Sequence, residues 1–225
     1  MTYDLYIGDR TFSSWSLRGW LMLKKFGLDF NTHLVGLYAG TMADEMAHLA
    51  PAKLVPTLRL ADGTVVGESL AMAETLAEQN PDAHMWPKDA SARATARWIS
   101  AEMASSFGAI RGQCPMQLQH VNVGFAVDAA LQSDLDRIEV LWAHASRFKS
   151  DGPWLFGAYS IADAMFAPVA ARVVGYDLPV SDAARSYCMT VLNDSAFKAW
   201  RASGQEVTYD PFPYDMGVPT KDWPV

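Results

Sequence analysis

Two short stretches carry residue types and spacings that can do chemistry. Ser13-Ser14 stands between an apolar run, Tyr3 to Ile7, and the helical pattern of Leu17, Trp20 and Leu21. Hydroxyls at such a place have two uses. One is capping, in which a side-chain oxygen accepts from a free N–H of the helix start. The other is anion binding, because a helix N-terminus favours negative charge and a neighbouring hydroxyl can donate to a thiolate. A free thiol titrates at about 8.5, so keeping it ionised at neutral pH requires such help. One serine can cap while the other faces the sulfur. The second stretch is Lys53-Leu54-Val55-Pro56-Thr57-Leu58, followed by Asp62-Gly63 and Gly67-Glu68-Ser69. Pro56 stands where a strand begins, which removes one N–H and leaves the N–H and carbonyl of Val55 free to pair outside the sheet. The residues alone favour a trans proline at an edge strand. Glu68 and Ser69 place a carboxylate, a hydroxyl and free N–H groups at one helix start, with Ser69 the natural N-cap.

The elements that must hold these groups follow from the pattern. Residues 3–7 read as a strand closed by Gly8-Asp9, and the helix after it runs to Lys25 or Phe26, with Gly27 as its stop. Residues 30–35 form a second strand and 41–49 a short, weak helix. Asp62-Gly63 turns a hairpin between 57–60 and 64–66, and a helix over 69–79 follows. The order β-α-β-α-β-β-α is that of a thioredoxin-like layer, a mixed sheet with helices on both sides. Residues 81–89, with Pro81 and Pro87, have the composition of a linker. Beyond it the periodicity predicts helices over 91–110, 125–148, 160–172, 181–192 and 195–202. The expected division is an α/β domain at 1–80, a linker at 81–89, an all-helical domain at 90–203 and an irregular tail at 204–225. That tail holds Pro211, Pro213, Pro219 and Pro224 among Tyr209, Phe212, Tyr214 and Trp223, and either packs through its aromatics or stays mobile.

The totals narrow the field of partners. The 225 residues are enough for one large or two small domains with a proper core. A net charge of −7 argues against nucleic acid and anionic membrane as partners. Cys114 and Cys188 stand far apart, with no metal-ligand spacing among them and the five histidines, so neither a disulfide framework nor a structural zinc is expected. No apolar run reaches the roughly 18 residues of a membrane span, and the N-terminus lacks a secretory pattern. These features read as cytoplasmic.

Ser13-Ser14-Trp15-Ser16-Leu17-Arg18 resembles the Ser-Ser-Cys-Ser-x-Arg signature of zeta-class glutathione transferases, with Trp15 in place of the cysteine. Val55-Pro56 ahead of the hairpin and Glu68-Ser69 opening a helix are similar to the glutathione-binding half of the wider glutathione S-transferase superfamily. The resemblance covers residues 1–203. It implies the fold of that superfamily, a thioredoxin-like α/β domain followed by an all-α domain, and a homodimer. It implies that Ser13 activates the glutathione thiol and Ser14 supports it, Ser14 being the expected partner of the helix N–H groups. Val55 would pair antiparallel with the cysteinyl unit, with Pro56 cis to aim it. Glu68 would take the γ-glutamyl ammonium and Ser69 the γ-glutamyl carboxylate. Lys53 would meet the glycine carboxylate, with a solvated surface lysine as the other reading. Trp15, Met103, Ser106, Phe107 and Arg111 would line the acceptor pocket, although Met and Phe at helical spacing also read as plain core. Arg111 there would suit an anionic or carbonyl electrophile. Ser160-Ile161-Ala162-Asp163 is a capping-box variant with a structural role.

The implied activity is a detoxifying transferase in which glutathione, as co-substrate and without a metal, attacks an unidentified electrophile. A glutathione-dependent isomerase of maleylacetoacetate type, or a glutathione-transferase-like binding protein with little turnover, are the alternatives.

Overall fold

The computed structural model describes residues 2–206 and 214–225. The first strand, β1 (Tyr3–Ile7), leads into α1 (Ser14–Lys24), and β2 (Phe30–Leu34) returns parallel to β1. A short α2 (Met42–Glu45) and a 3-10 turn, Ala47–Leu49, precede the hairpin of β3 (Thr57–Arg59) and β4 (Val65–Val66). β3 is antiparallel to β1 and β4 antiparallel to β3, so the sheet runs β2-β1-β3-β4. The helix α3 (Ser69–Gln79) closes this part. The expected element order is observed, and the parallel β1–β2 pair requires the crossover that α1 supplies.

A 3-10 turn at Pro81–Ala83 leads to α4 (Ala90–Ser105), α5 (Gly108–Gln113), α6 (Ala129–Ser146), α7 (Ile161–Gly175), α8 (Asp182–Asn193) and α9 (Ser195–Gly204). The single helix expected over 91–110 is two helices. Phe107 stands between them at φ 62°, a left-handed backbone that ends α4 while its ring stays buried. The helix expected from 125 starts at Ala129, where the Asp128 carboxylate accepts from Leu131 N at 2.8 Å.

The centre of the molecule is α7, every residue of which is buried. It packs against α1, α4 and α8, so a helix that is apolar all round has found partners all round. Its two charged residues, Asp163 and Arg172, are therefore both interior. At its start Asp163 accepts from Ser160 N at 2.8 Å and Ser160 Oγ at 3.1 Å, the expected capping-box arrangement.

One expectation for the C-terminal part needs correcting. The described part of the tail is not wholly irregular: β6 (Thr220–Asp222) pairs antiparallel with β5 (His120–Asn122) as a two-stranded ribbon beside the helices. Tyr209, Pro211, Phe212 and Pro213 lie outside the described residues. Trp223 is buried, lies under the Arg201 guanidinium and sits 3.3 Å from where a Cβ at Gly175 would stand. Among the described residues no helix is long and apolar enough to cross a membrane, and no group of three His, Cys, Asp or Glu is placed to hold a metal ion.

Candidate active site

The N-terminus of α1 opens where β1 ends. Ser13 is its N-cap, with φ −87° and ψ 94°, and its Oγ accepts from Ser16 N at 3.3 Å. The same Oγ donates to Ser16 Oγ at 2.7 Å, and Ser16 Oγ accepts from Gly8 N at 2.9 Å. This corrects the capping expected for the pair, because the cap is Ser13 and not Ser14. Ser14 is the first helical residue, and its Oγ lies 3.5 Å from Arg172 Nη2 of α7. Both serines are largely buried, at 6% and 8% exposure, so whatever they bind is held away from bulk water.

The second stretch abuts the same helix. Val55–Pro56 is a cis peptide, and Pro56 lies against α1 at Gly19, where a Cβ would come within 2.8 Å of Pro56 Cβ. The glycine lets the helix backbone and the proline touch. Glu68, not Ser69, is the N-cap of α3: its carboxylate accepts from Leu70 N at 2.7 Å and Ala71 N at 3.0 Å. Ser69 is the first helical residue, buried, and its hydroxyl donates to Glu68 Oε1 at 3.1 Å. Lys53 is exposed and shares a shallow surface pocket with Pro51, Ala52, Leu54, Val65 and Gly67.

The residues expected to line an acceptor pocket separate into two groups. Met103 is fully buried and Phe107 nearly so, both within the main core. Ser106 is exposed at the end of α4. Trp15 and Arg111 do meet, the Arg111 guanidinium lying 5.8 Å from the Trp15 ring centroid. Arg18 stacks on that ring at 4.1 Å.

Two charged side chains here were given no site role from sequence. Arg18 is wholly buried; its Nε donates to Met165 O at 2.9 Å, and its two terminal nitrogens have no hydrogen-bond partner. Arg172 donates from Nε to Cys114 O at 2.8 Å and from Nη1 to Pro168 O at 3.3 Å. Among the described residues no carboxylate forms an ion pair with Arg18, Arg111 or Arg172. Burial, first, and then the charges of Arg172 and Arg111 hold Arg18 well below its ordinary value. Burial pulls Arg172 down to about 10, so it remains a cation at neutral pH, and a guanidinium such as that of Arg18 keeps its proton in proteins. The signal in the sequence was a lone arginine in the apolar run of 164–174. Cys114, against Arg172, has its thiol pushed up to about 12 by burial and is no nucleophile.

Aromatic residues approach the start of α1 as well. Phe12 packs on Tyr38 and on Tyr214, and the two tyrosine hydroxyls are 2.8 Å apart. Tyr214 thus brings the described end of the tail to the start of α1.

Residues 12–79 match the family described as glutathione S-transferase, N-terminal domain. The chain is 37% identical over 114 residues to a probable maleylacetoacetate isomerase of Caenorhabditis elegans, covering 51% of this chain and 52% of that protein. It is 32% identical over 144 residues to maleylacetoacetate isomerase of Rattus norvegicus, covering 57% and 65%. The chain thus spans about half to two thirds of the length of these curated relatives. Among solved structures it is similar to a glutathione transferase homolog from Burkholderia with bound glutathione. There the TM-score is 0.68 at 25% identity, covering 92% of this chain and all of that one. The family match falls on α1 to α3, so residues 12–79 form a glutathione S-transferase N-terminal domain, and the fold is shared along the length of that homolog.

Proposed function

We propose that this protein binds glutathione along Val55, Glu68, Ser69 and Lys53, and holds its thiolate at the start of α1 for attack on an electrophile. The observation that carries the reading is the pair of largely buried serine hydroxyls at the N-terminus of α1, a helix whose Gly19 lies against Pro56. A structural neighbour described with bound glutathione supports the ligand. The free N–H and carbonyl of Val55 pair with the cysteinyl unit, and the carboxylate of Glu68 faces the γ-glutamyl ammonium. The thiol proton leaves to water, and the sulfur anion is held by hydroxyl donors and the positive end of α1. Residues 1–80 and 90–203, joined by 81–89, are the two domains of this proposal. Trp15 and Arg111 line the acceptor side. A homodimer acting in the cytoplasm belongs to the same proposal, with Leu54 and Trp98 as large apolar side chains left exposed.

A second reading, glutathione-dependent cis-trans isomerisation, is favoured by the names of the curated relatives. Against it stands Trp15, where the zeta signature has cysteine. Steady-state rates with glutathione plus a generic aryl halide, set beside rates with a maleyl-keto acid, test the two. We expect conjugation of the aryl halide above the uncatalysed rate. Turnover of the keto acid alone would replace this reading by the isomerase. Retention on immobilised glutathione with neither turnover would leave a binding protein.

The contact of α1 with Pro56 gives an independent test of the glutathione contacts. Gly19→Ala gains up to about 1 kcal/mol of helix propensity, but its Cβ presses on Pro56, and overpacking typically costs about 1–3 kcal/mol. We expect glutathione affinity to fall by about tenfold, equivalent to about 1.4 kcal/mol, with little net change in melting temperature. Titration calorimetry giving an unchanged affinity would remove Val55 from the site.

A further inference from the structure

We propose that Ser14 rather than Ser13 gives the activating hydrogen bond to the thiolate, and that Arg172 of α7 is the residue that positions Ser14 for it. The inference rests on the glutathione reading above and deepens it. It starts from where the hydroxyl protons go. The Ser13 Oγ–H is donated to Ser16 Oγ at 2.7 Å, while the Ser13 oxygen accepts Ser16 N. Ser13 is thereby closed into the first turn of α1. The only hydrogen bond given to Ser14 Oγ among the described residues is from a guanidinium, which has donors and no acceptor. The Ser14 proton is thus left for another group.

The electrostatics point the same way. Arg172 is held by two carbonyls, those of Cys114 and Pro168, and its remaining nitrogen is turned to Ser14. A buried cation without a carboxylate costs free energy unless an anion comes to it. The groups that bear on Arg172 are Arg111 on α5, and Cys114, Tyr176 and Tyr214. Arg18 on α1 also feels its charge. At neutral pH the cysteine and the tyrosines are uncharged, so the field at Ser14 is set by three guanidiniums. Its natural complement is a negative atom beside Ser14. A glutathione sulfur there loses its proton to water, and Ser14 keeps its own proton while donating to the sulfur. No bond to carbon forms in this step.

The test is the thiolate absorbance of bound glutathione followed against pH in wild type, Arg172→Met, Arg172→Lys, Ser14→Ala and Ser13→Ala. We expect Arg172→Met to raise the apparent thiol pKa by about one unit, a tenfold loss of thiolate below the wild-type value. Arg172→Lys, which keeps the charge, should recover most of that shift, whereas a purely structural role would leave the pKa in place. Ser14→Ala should raise it further than Ser13→Ala. Bound glutathione with the same thiol pKa in Arg172→Met as in wild type overturns the proposal and leaves the glutathione reading intact. Should Arg172→Met fail to fold, the serine pair decides, and equal or reversed shifts overturn it. Wild type that binds no glutathione overturns the parent reading and this one together.

Discussion

Asp163→Ala is expected to lower the melting temperature by roughly 10–15 °C, the reading of about 3–5 kcal/mol in a chain of this length. The residue is wholly buried at the start of α7, and both carboxylate oxygens are used. Oδ1 accepts from Leu155 N and from Tyr187 Oη, each at 3.1 Å. Oδ2 accepts from Ser160 N at 2.8 Å and Ser160 Oγ at 3.1 Å. Truncation strands two backbone N–H groups and a phenol in the interior, and each unsatisfied group costs about 1–3 kcal/mol. Relief of the buried charge offsets part of that cost. Burial outweighs the four donors and raises the carboxyl to about 6, which still leaves it ionised at neutral pH. Asparagine is not expected to rescue it, since its amide nitrogen would face donors whichever way it turned. Ser160→Ala loses only a cap hydroxyl, worth about 1 kcal/mol. Thermal melts of the three variants check the ranking. A fall below about 3 °C for Asp163→Ala would mean that the loop at Leu155 finds other acceptors, using the same conversion of melting temperature to free energy.

The same helix, α7, carries Asp163 at one end and Arg172 towards the other. The first of these was legible in the sequence and the second was not. Asp163 announces itself because its partner Ser160 is three residues away, and local hydrogen bonds leave local patterns. Arg172 meets Ser14 across 158 positions of the chain, and no spacing rule reports such a pair. The same contrast runs through the fold. The sheet and its helices were readable from alternation, caps and the Asp62-Gly63 turn, each a neighbour effect. The β5–β6 ribbon joins three-residue strands about a hundred positions apart, and neither is long enough to show alternation. The break at Phe107 was hidden because an aromatic residue took a backbone conformation usually left to glycine, with its buried ring as compensation. At both helix starts in the site, the capping side chain is the residue before the one expected. Ser13 and Glu68 are followed at once by a second polar residue, and composition alone cannot rank the two.

Ser14→Ala is expected to lose about 10²–10³ in the rate of glutathione conjugation, the usual effect of removing one donor to a developing or resident anion. Glutathione affinity should stay within a few-fold of wild type, because Val55, Glu68 and Ser69 hold the rest of the tripeptide in the proposed site. The zeta-like motif by itself assigns this role to Ser13, so the two serines give opposite expectations. Ser13 caps α1 through Ser16 N, and its removal also leaves the buried Ser16 hydroxyl without that partner. Ser13→Ala should therefore cost about 1 kcal/mol of stability, the worth of a cap, with a much smaller effect on rate. The pH profile of turnover separates activation from placement. Loss of the activating donor moves the rising, acid-side limb of the profile to higher pH, so Ser14→Ala should regain part of its rate at high pH, where the thiol ionises unaided. Ser13→Ala should keep the wild-type profile with a lower melting temperature. If Ser13→Ala proves the inactive variant and Ser14→Ala merely the less stable one, the family motif is the better guide and Arg172 is structural. If both keep the wild-type rate, the N–H groups and dipole of α1 hold the thiolate alone, and neither hydroxyl is part of the chemistry.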